Sequence, residues 1–226
     1  MNALFYVFLS FLIYIAPSLL SEVVIRCLSS EFSLKYSELR PFISISLSAV
    51  FFIPLLIMVT PGDEKSKKFD FLNLGKTNAR ISMKILFITL CLWALSKYAG
   101  EFLNVKDEAA MLNATTLAGN TISMVTLFFA VCIAAPLIEE CLFRGWLFKK
   151  LIYLNQHINV IISSAIFSLI HTQYEHVSTF ISIFLVGLFL GYIRLLSGSL
   201  SYSILAHSMY NFYSFCAICI IHFSSV

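Results

Sequence analysis

In "APLIEECLFRGW", residues 135–146, two adjacent glutamates and an arginine close a strongly apolar run. A carboxylate placed beside a water can take its proton, and an arginine can hold a second carboxylate in position. Two other stretches carry polar groups in apolar surroundings. "AIFSLIHTQ" holds His171, four residues after Phe167, and "SILAHSMYNFY" holds His207 and Asn211, again four apart. Imidazole and carboxamide groups are good donors to a developing oxyanion. Glu139, His171, His207 and Asn211 therefore combine the groups that peptide-bond hydrolysis needs: a base for water and donors for a tetrahedral intermediate.

A charge at membrane depth costs about 2.5–3.5 kcal/mol on insertion scales, and charges that remain there usually face the protein interior. Helical spacing separates the two glutamates. Glu140 and Arg144 share a face and are expected to form an ion pair. Glu139 is rotated ~100° away and lacks that cation, so it is the expected reactive carboxylate. Each cluster alone also has a plainer account. The charges can sit at the headgroup boundary with Arg144 snorkelling, His171 can be a satisfied core residue, and His207 and Asn211 can bond between helices. Their recurrence on three separate apolar segments favours one shared cavity.

The elements that must position these groups are membrane helices. Of 226 residues, 59% are hydrophobic and 12% charged, against roughly 25% charged in soluble domains. The mean hydropathy is +0.89. A spanning helix needs ~20 apolar residues. Candidate segments lie near 3–25, 41–60, 81–99, 119–138, 158–174, 177–196 and 200–222, the fifth being the weakest. The expected fold is an all-α polytopic transmembrane bundle of about seven to eight helices. It forms one integral membrane domain over 1–226, with a motif-bearing core at 130–215. Periodicity through "EECLFRGWLFKKLIYL" extends the fourth segment to one long helix from about 120 to 152. The first segment lacks a basic start and a small-residue cleavage site, so it is expected to be retained. With seven spans, ten of the 15 lysines and arginines fall on the side of the 61–80 loop, which predicts a cytoplasmic N-terminus. The net charge of +3 calls for no nucleic acid. The six cysteines read as reduced, buried hydrophobes. "NVKDEAAML" is expected to form a short surface helix, Asn113-Ala114-Thr115 is a glycosylation sequon, and Gly187 and Gly191 form a G-x-x-x-G pair that permits close helix approach.

The three clusters, in order, match E-E-x-x-x-R ("EECLFR"), F-x-x-x-H ("FSLIH") and H-x-x-x-N ("HSMYN"). The chain thereby resembles the CAAX protease and bacteriocin-processing (Abi) family of intramembrane type II CAAX endopeptidase relatives. "FRGWLF" and "GSLSYSILAH" are similar to that family's flanking sequences, and the resemblance covers about 130–215. It implies that Glu139 activates water, that His171 helps hold or deprotonate it, and that His207 and Asn211 stabilise the oxyanion. Glu140, Arg144 and Phe167 would support the site. The chain has no H-E-x-x-H zinc pair. A metal-free glutamate mechanism is favoured, with a zinc site of Glu139, His171 and His207 as the alternative.

The expected function is thus an intramembrane endopeptidase, a hydrolase of the cell (plasma or inner) membrane. Its partners would be the bilayer and a membrane-associated peptide or protein tail, lipidated or anchored. Two other classes compete: a non-catalytic membrane scaffold or regulator of bacteriocin-immunity type that keeps the fold, and a transporter or proton relay, which also uses intramembrane Glu and His. The second lacks support from inverted repeats with broken helices.

Overall fold

The structure is a computed structural model that describes residues 2–27, 40–60, 72–102, 108 and 121–224. No strand occurs among the described residues. Helices are what lipid permits, because each satisfies its own backbone within one segment. In chain order they are α1 (Ala3–Cys27), α2 (Arg40–Val59), α3 (Ala79–Phe102), α4 (Thr121–Lys150), α5 (Gln156–Leu169), α6 (Val177–Ser197) and α7 (Leu200–Ser224). Five of them, α1, α3, α4, α6 and α7, are long and apolar enough to cross a membrane. This is a multi-pass helical bundle. The "NVKDEAAML" stretch lies outside the described residues except for Glu108, and the Asn113 sequon lies outside them altogether.

Burial is arranged for a lipid exterior. Leu4, Phe87 and Leu196 are exposed, while Ser10, Thr89, Glu140, Arg144 and Ser203 have no exposed surface. Polar contacts join the helices inside: Ser21 Oγ lies 3.0 Å from both Ser44 Oγ and Ser48 Oγ, tying α1 to α2. Of the cysteines, Cys132 is buried, but Cys27 and Cys91 are exposed, so those two do not serve as core hydrophobes. All six are free thiols.

The expected long helix exists as α4, 30 residues from Thr121 to Lys150. It is not uniform. Two π segments, Phe129–Ala134 and Cys141–Leu147, flank an α turn at Ala135–Glu140 that carries both glutamates. Pro136 accounts for the first. A proline has no N–H and crowds the carbonyl one turn earlier, so the helix widens ahead of it. The Ala135 N–H accordingly donates to Ala130 O, five residues back. Val131 O then loses its α-helical donor, and its π-helical donor would be the N–H that Pro136 lacks.

The segment expected over 158–174 forms a 14-residue helix, α5. Its length is about 21 Å, short of a ~30 Å hydrocarbon core. The helix ends at Leu169, so His171 lies in the turn beyond it rather than one turn on from Phe167 along the same helix. The helix ends because the chain must turn back into α6. The G-x-x-x-G pair of α6 packs on α5. A Cβ at Gly191 would stand 2.9 Å from Val160 Cγ1, and one at Gly187 would stand 3.1 Å from Ser164 Cβ. At the far end of α6, Gly198 adopts φ +65° and caps the helix, which lets α7 start at Leu200.

One core joins α1, α2, α4 and α5 through Ile13, Phe52, Leu56, Phe143, Trp146 and Phe167. A second, of Val186, Leu190, Tyr202 and Ala206 with Ile85, joins α6 and α7 to α3. Phe167 of the first core is also one of the candidate site residues.

Candidate active site

The α turn of α4 presents Glu139 and Glu140 inward, 5% and 0% exposed. Glu140 Oε1 accepts from Arg144 Nη1 at 3.0 Å, the expected i,i+4 ion pair, and both side chains are fully buried. The pair is supported from outside α4. Arg144 Nη2 donates to Gly187 O at 2.8 Å, and the guanidinium carbon lies 4.4 Å from the Phe167 ring centroid. The absence of a side chain at Gly187 thus also lets Arg144 reach backbone. Among the described residues Arg144 Nε and Glu140 Oε2 find no hydrogen-bond partner. Such a buried pair adds little net stability, but removing one member leaves an uncompensated charge.

His207, on α7, lies between the two carboxylates. Its Nδ1 is 2.9 Å from Glu140 Oε1, and its Nε2 is 3.8 Å from Glu139 Oε2. A carboxylate only accepts, so Nδ1 carries the proton and Nε2 is the atom turned toward Glu139. His171 is oriented in the same manner. Its Nδ1 is 2.7 Å from Phe167 O, a carbonyl, which leaves Nε2 with a free lone pair. Phe167 separates the two imidazoles, with centroid distances of 4.9 Å to His171 and 5.6 Å to His207, both edge-on. Tyr174 stacks on His171 at 6.2 Å with an interplanar angle of 8°. Glu139 lies within electrostatic reach of both His171 and Tyr174.

Asn211 Nδ2 donates at 2.9 Å to Val131 O, the carbonyl that the π segment and Pro136 leave without a backbone donor. At least one amide hydrogen of Asn211 therefore holds α7 against α4.

Glu139, Glu140, Arg144, Phe167, His171 and His207 thus converge, with Asn211 at their edge. Three contributors have no signal in the motifs. Tyr14 of α1 donates to Glu139 Oε1 at 3.3 Å, across 125 positions of sequence. Tyr174 stacks on His171. Glu108 accepts from the Glu175 and His176 N–H groups at 2.9 and 3.1 Å and from the Thr179 hydroxyl. It thereby caps the N-terminus of α6 and pins the turn that bears His171. Burial alone would raise the Glu108 carboxyl. Its three hydrogen bonds and the charge of His176 outweigh this and hold it below its ordinary value of 4.5.

Among the described residues no three His, Cys, Asp or Glu side chains converge to hold a metal ion. Cavities of about 220 Å³ beside Trp93, Lys97 and Tyr213, and about 240 Å³ beside Lys149, Asn159 and Arg194, lie away from the cluster. His171 and Asn211 are half-buried, and the other members are buried.

The class this defines is a polytopic helical membrane protein with an acid–imidazole cluster buried between its helices. Residues 121–213 match the family described as type II CAAX prenyl endopeptidase Rce1-like. The match is in keeping with the CAAX protease and bacteriocin-processing family that the three motifs resemble. A curated Escherichia coli protein described as an uncharacterized 24.3 kDa protein is 35% identical over 89 residues. That alignment covers 38% of this chain and 39% of the relative's own length. No solved structure matches the chain.

Proposed function

We propose that the chain is an intramembrane endopeptidase of glutamate type, acting on a membrane-associated peptide or protein tail. The observation that carries this is the placement of His207 between two buried carboxylates, one held by Arg144 and the other bonded, among the described residues, by a long contact from Tyr14. Paired carboxylates in different environments take different tasks. Glu140 fixes the tautomer of His207 and balances charge that forms there. Glu139 is the base.

Water bound between Glu139 and the free Nε2 of His171 loses a proton to Glu139 as its oxygen adds to the scissile carbonyl. The proton passes to His207 Nε2, where Glu140 balances the imidazolium, and then to the departing amine nitrogen as the C–N bond breaks. The second amide hydrogen of Asn211 is available to the tetrahedral oxygen. No metal takes part in this scheme. On this reading the peptide reaches the cluster past His171 and Tyr174. The basic end, with Lys149, Lys150 and Arg194, faces the cytoplasm, as does the N-terminus.

The test is cleavage by purified protein in lipid nanodiscs of a panel of tail peptides, prenylated and unprenylated, with wild type against Glu139→Ala and His171→Ala. Both variants are expected to lose cleavage by at least about a hundredfold while melting as wild type does. Wild-type activity should survive exhaustive chelation. Cleavage by Glu139→Ala would overturn the reading, and loss on chelation with recovery on zinc would overturn its metal-free form. Retained cellular function in both variants would favour the scaffold.

A further inference from the structure

We propose that Tyr14 of the first helix is a positioning residue for Glu139, holding one carboxylate oxygen so that the other faces His207 and the reacting water; this rests on the protease reading above.

The two oxygens of Glu139 have different neighbours. Oε1 receives the Tyr14 hydroxyl at 3.3 Å, and Oε2 faces His207 Nε2 at 3.8 Å. A carboxylate with no fixed partner would rotate about its terminal torsion, which is soft and roughly two-fold. Glu140 is prevented from doing so by Arg144 and His207 on Oε1. Among the described residues no arginine or lysine is bonded to Glu139, and Tyr14 is what distinguishes its two faces.

A tyrosine in a membrane helix needs a partner for its O–H, and a carbonyl of its own helix would suffice. Here the phenol instead crosses to another helix and donates to a carboxylate. Its direction is set by packing. Ile13, the preceding residue, is 1% exposed in the core of α1, α2, α4 and α5. The Tyr14 ring meets Phe143 at 6.3 Å, and one end of the same interface is closed by Tyr6 against Trp146 at 6.2 Å. A 3.3 Å contact is long for an O–H bonded to a carboxylate, and catalytic contacts commonly shorten once substrate is bound. Residue 14 lies outside the 121–213 stretch that matches the Rce1-like family. On this view that stretch alone does not complete the site.

Two readouts test this in the full-length protein in nanodiscs. The first uses a peptide that wild type cleaves and Glu139→Ala does not. Tyr14→Phe, which removes only the hydroxyl, is expected to lower kcat about ten- to a hundredfold with KM within twofold, and 3-fluorotyrosine at position 14 should restore most of the rate. The second needs no substrate: modification of Glu139 by a hydrophobic carbodiimide, followed by mass spectrometry. With Oε1 released, Tyr14→Phe should be labelled severalfold faster than wild type, while the fluorotyrosine protein should not. Wild-type kcat or wild-type labelling in a folded Tyr14→Phe protein would overturn the proposal. If no peptide is cleaved, or if Glu139→Ala still cleaves, the protease reading falls while the labelling result still decides the role of Tyr14.

Discussion

His207 makes its closest polar contact with Glu140, not with Glu139, so Glu140 anchors an imidazole as well as Arg144. Glu140 Oε1 alone serves Arg144 and His207. Replacing Glu140 with alanine strands a buried guanidinium and removes the anchor of an imidazole. We expect Glu140→Ala to destabilise the bundle by about 3–5 kcal/mol and to lower the rate as well. Thermal unfolding in detergent beside a cleavage assay checks both, and an unchanged melting temperature would refute the pair. The spacing of Glu140 and Arg144 foretold this contact because helical periodicity is local. Nothing local connects either residue with His207, Gly187 or Tyr14. Asn211 was expected as an oxyanion donor, and one of its amide hydrogens is spent on Val131 O. That demand arises from Pro136, visible in the sequence, but the donor comes from a helix 80 positions away.

At the scale of elements, the end of α5 and the start of α6 decide where His171 stands. The linking turn is held from outside by Glu108, whose carboxylate accepts two backbone N–H groups and the Thr179 hydroxyl. These bonds favour the ionised form, so the folded chain binds the proton more weakly than the unfolded one. The stabilisation is therefore complete above the unfolded value near 4.5 and disappears as pH falls through the lower folded value. Amide exchange at Glu175 and His176 should stay slow from neutral pH to about 4.5 and accelerate only in stronger acid. Glu108→Ala should show the fast exchange already at pH 7. Equal protection in variant and wild type at pH 7 would remove Glu108 from this role. The 3.6-residue period revealed seven apolar helices and the length of α4. It did not reveal that α5 stops at Leu169, because apolar character continues to Ile170, and the stop is imposed by the return into α6.

At the scale of the whole molecule, the matched stretch is not a separate body. Phe143, Trp146 and Phe167, on α4 and α5, pack against Ile13, Phe52 and Leu56 of α1 and α2. Tyr14 crosses the same interface to Glu139. A fragment of residues 120–226 would expose that apolar surface and lose one contact of its key carboxylate. We expect it to aggregate or elute as a mixture in size-exclusion chromatography under conditions where the full chain is monodisperse. Co-expression with residues 1–119 should restore a single species. A stable, active fragment would show that the first three helices are dispensable.

The sequence by itself determined the membrane class and the helical fold, and it singled out the polar side chains that stand in apolar surroundings. Hydrophobic length, intramembrane charge cost and i,i+4 spacing are properties of short stretches that lipid reads directly. Only the tertiary structure decided which atoms face one another. It set His207 Nδ1 on Glu140, gave Tyr14 to Glu139, and assigned Asn211 to a carbonyl orphaned by Pro136. These contacts join segments 67 to 125 positions apart. Helix packing brings such segments together, and no pattern within a single helix encodes that.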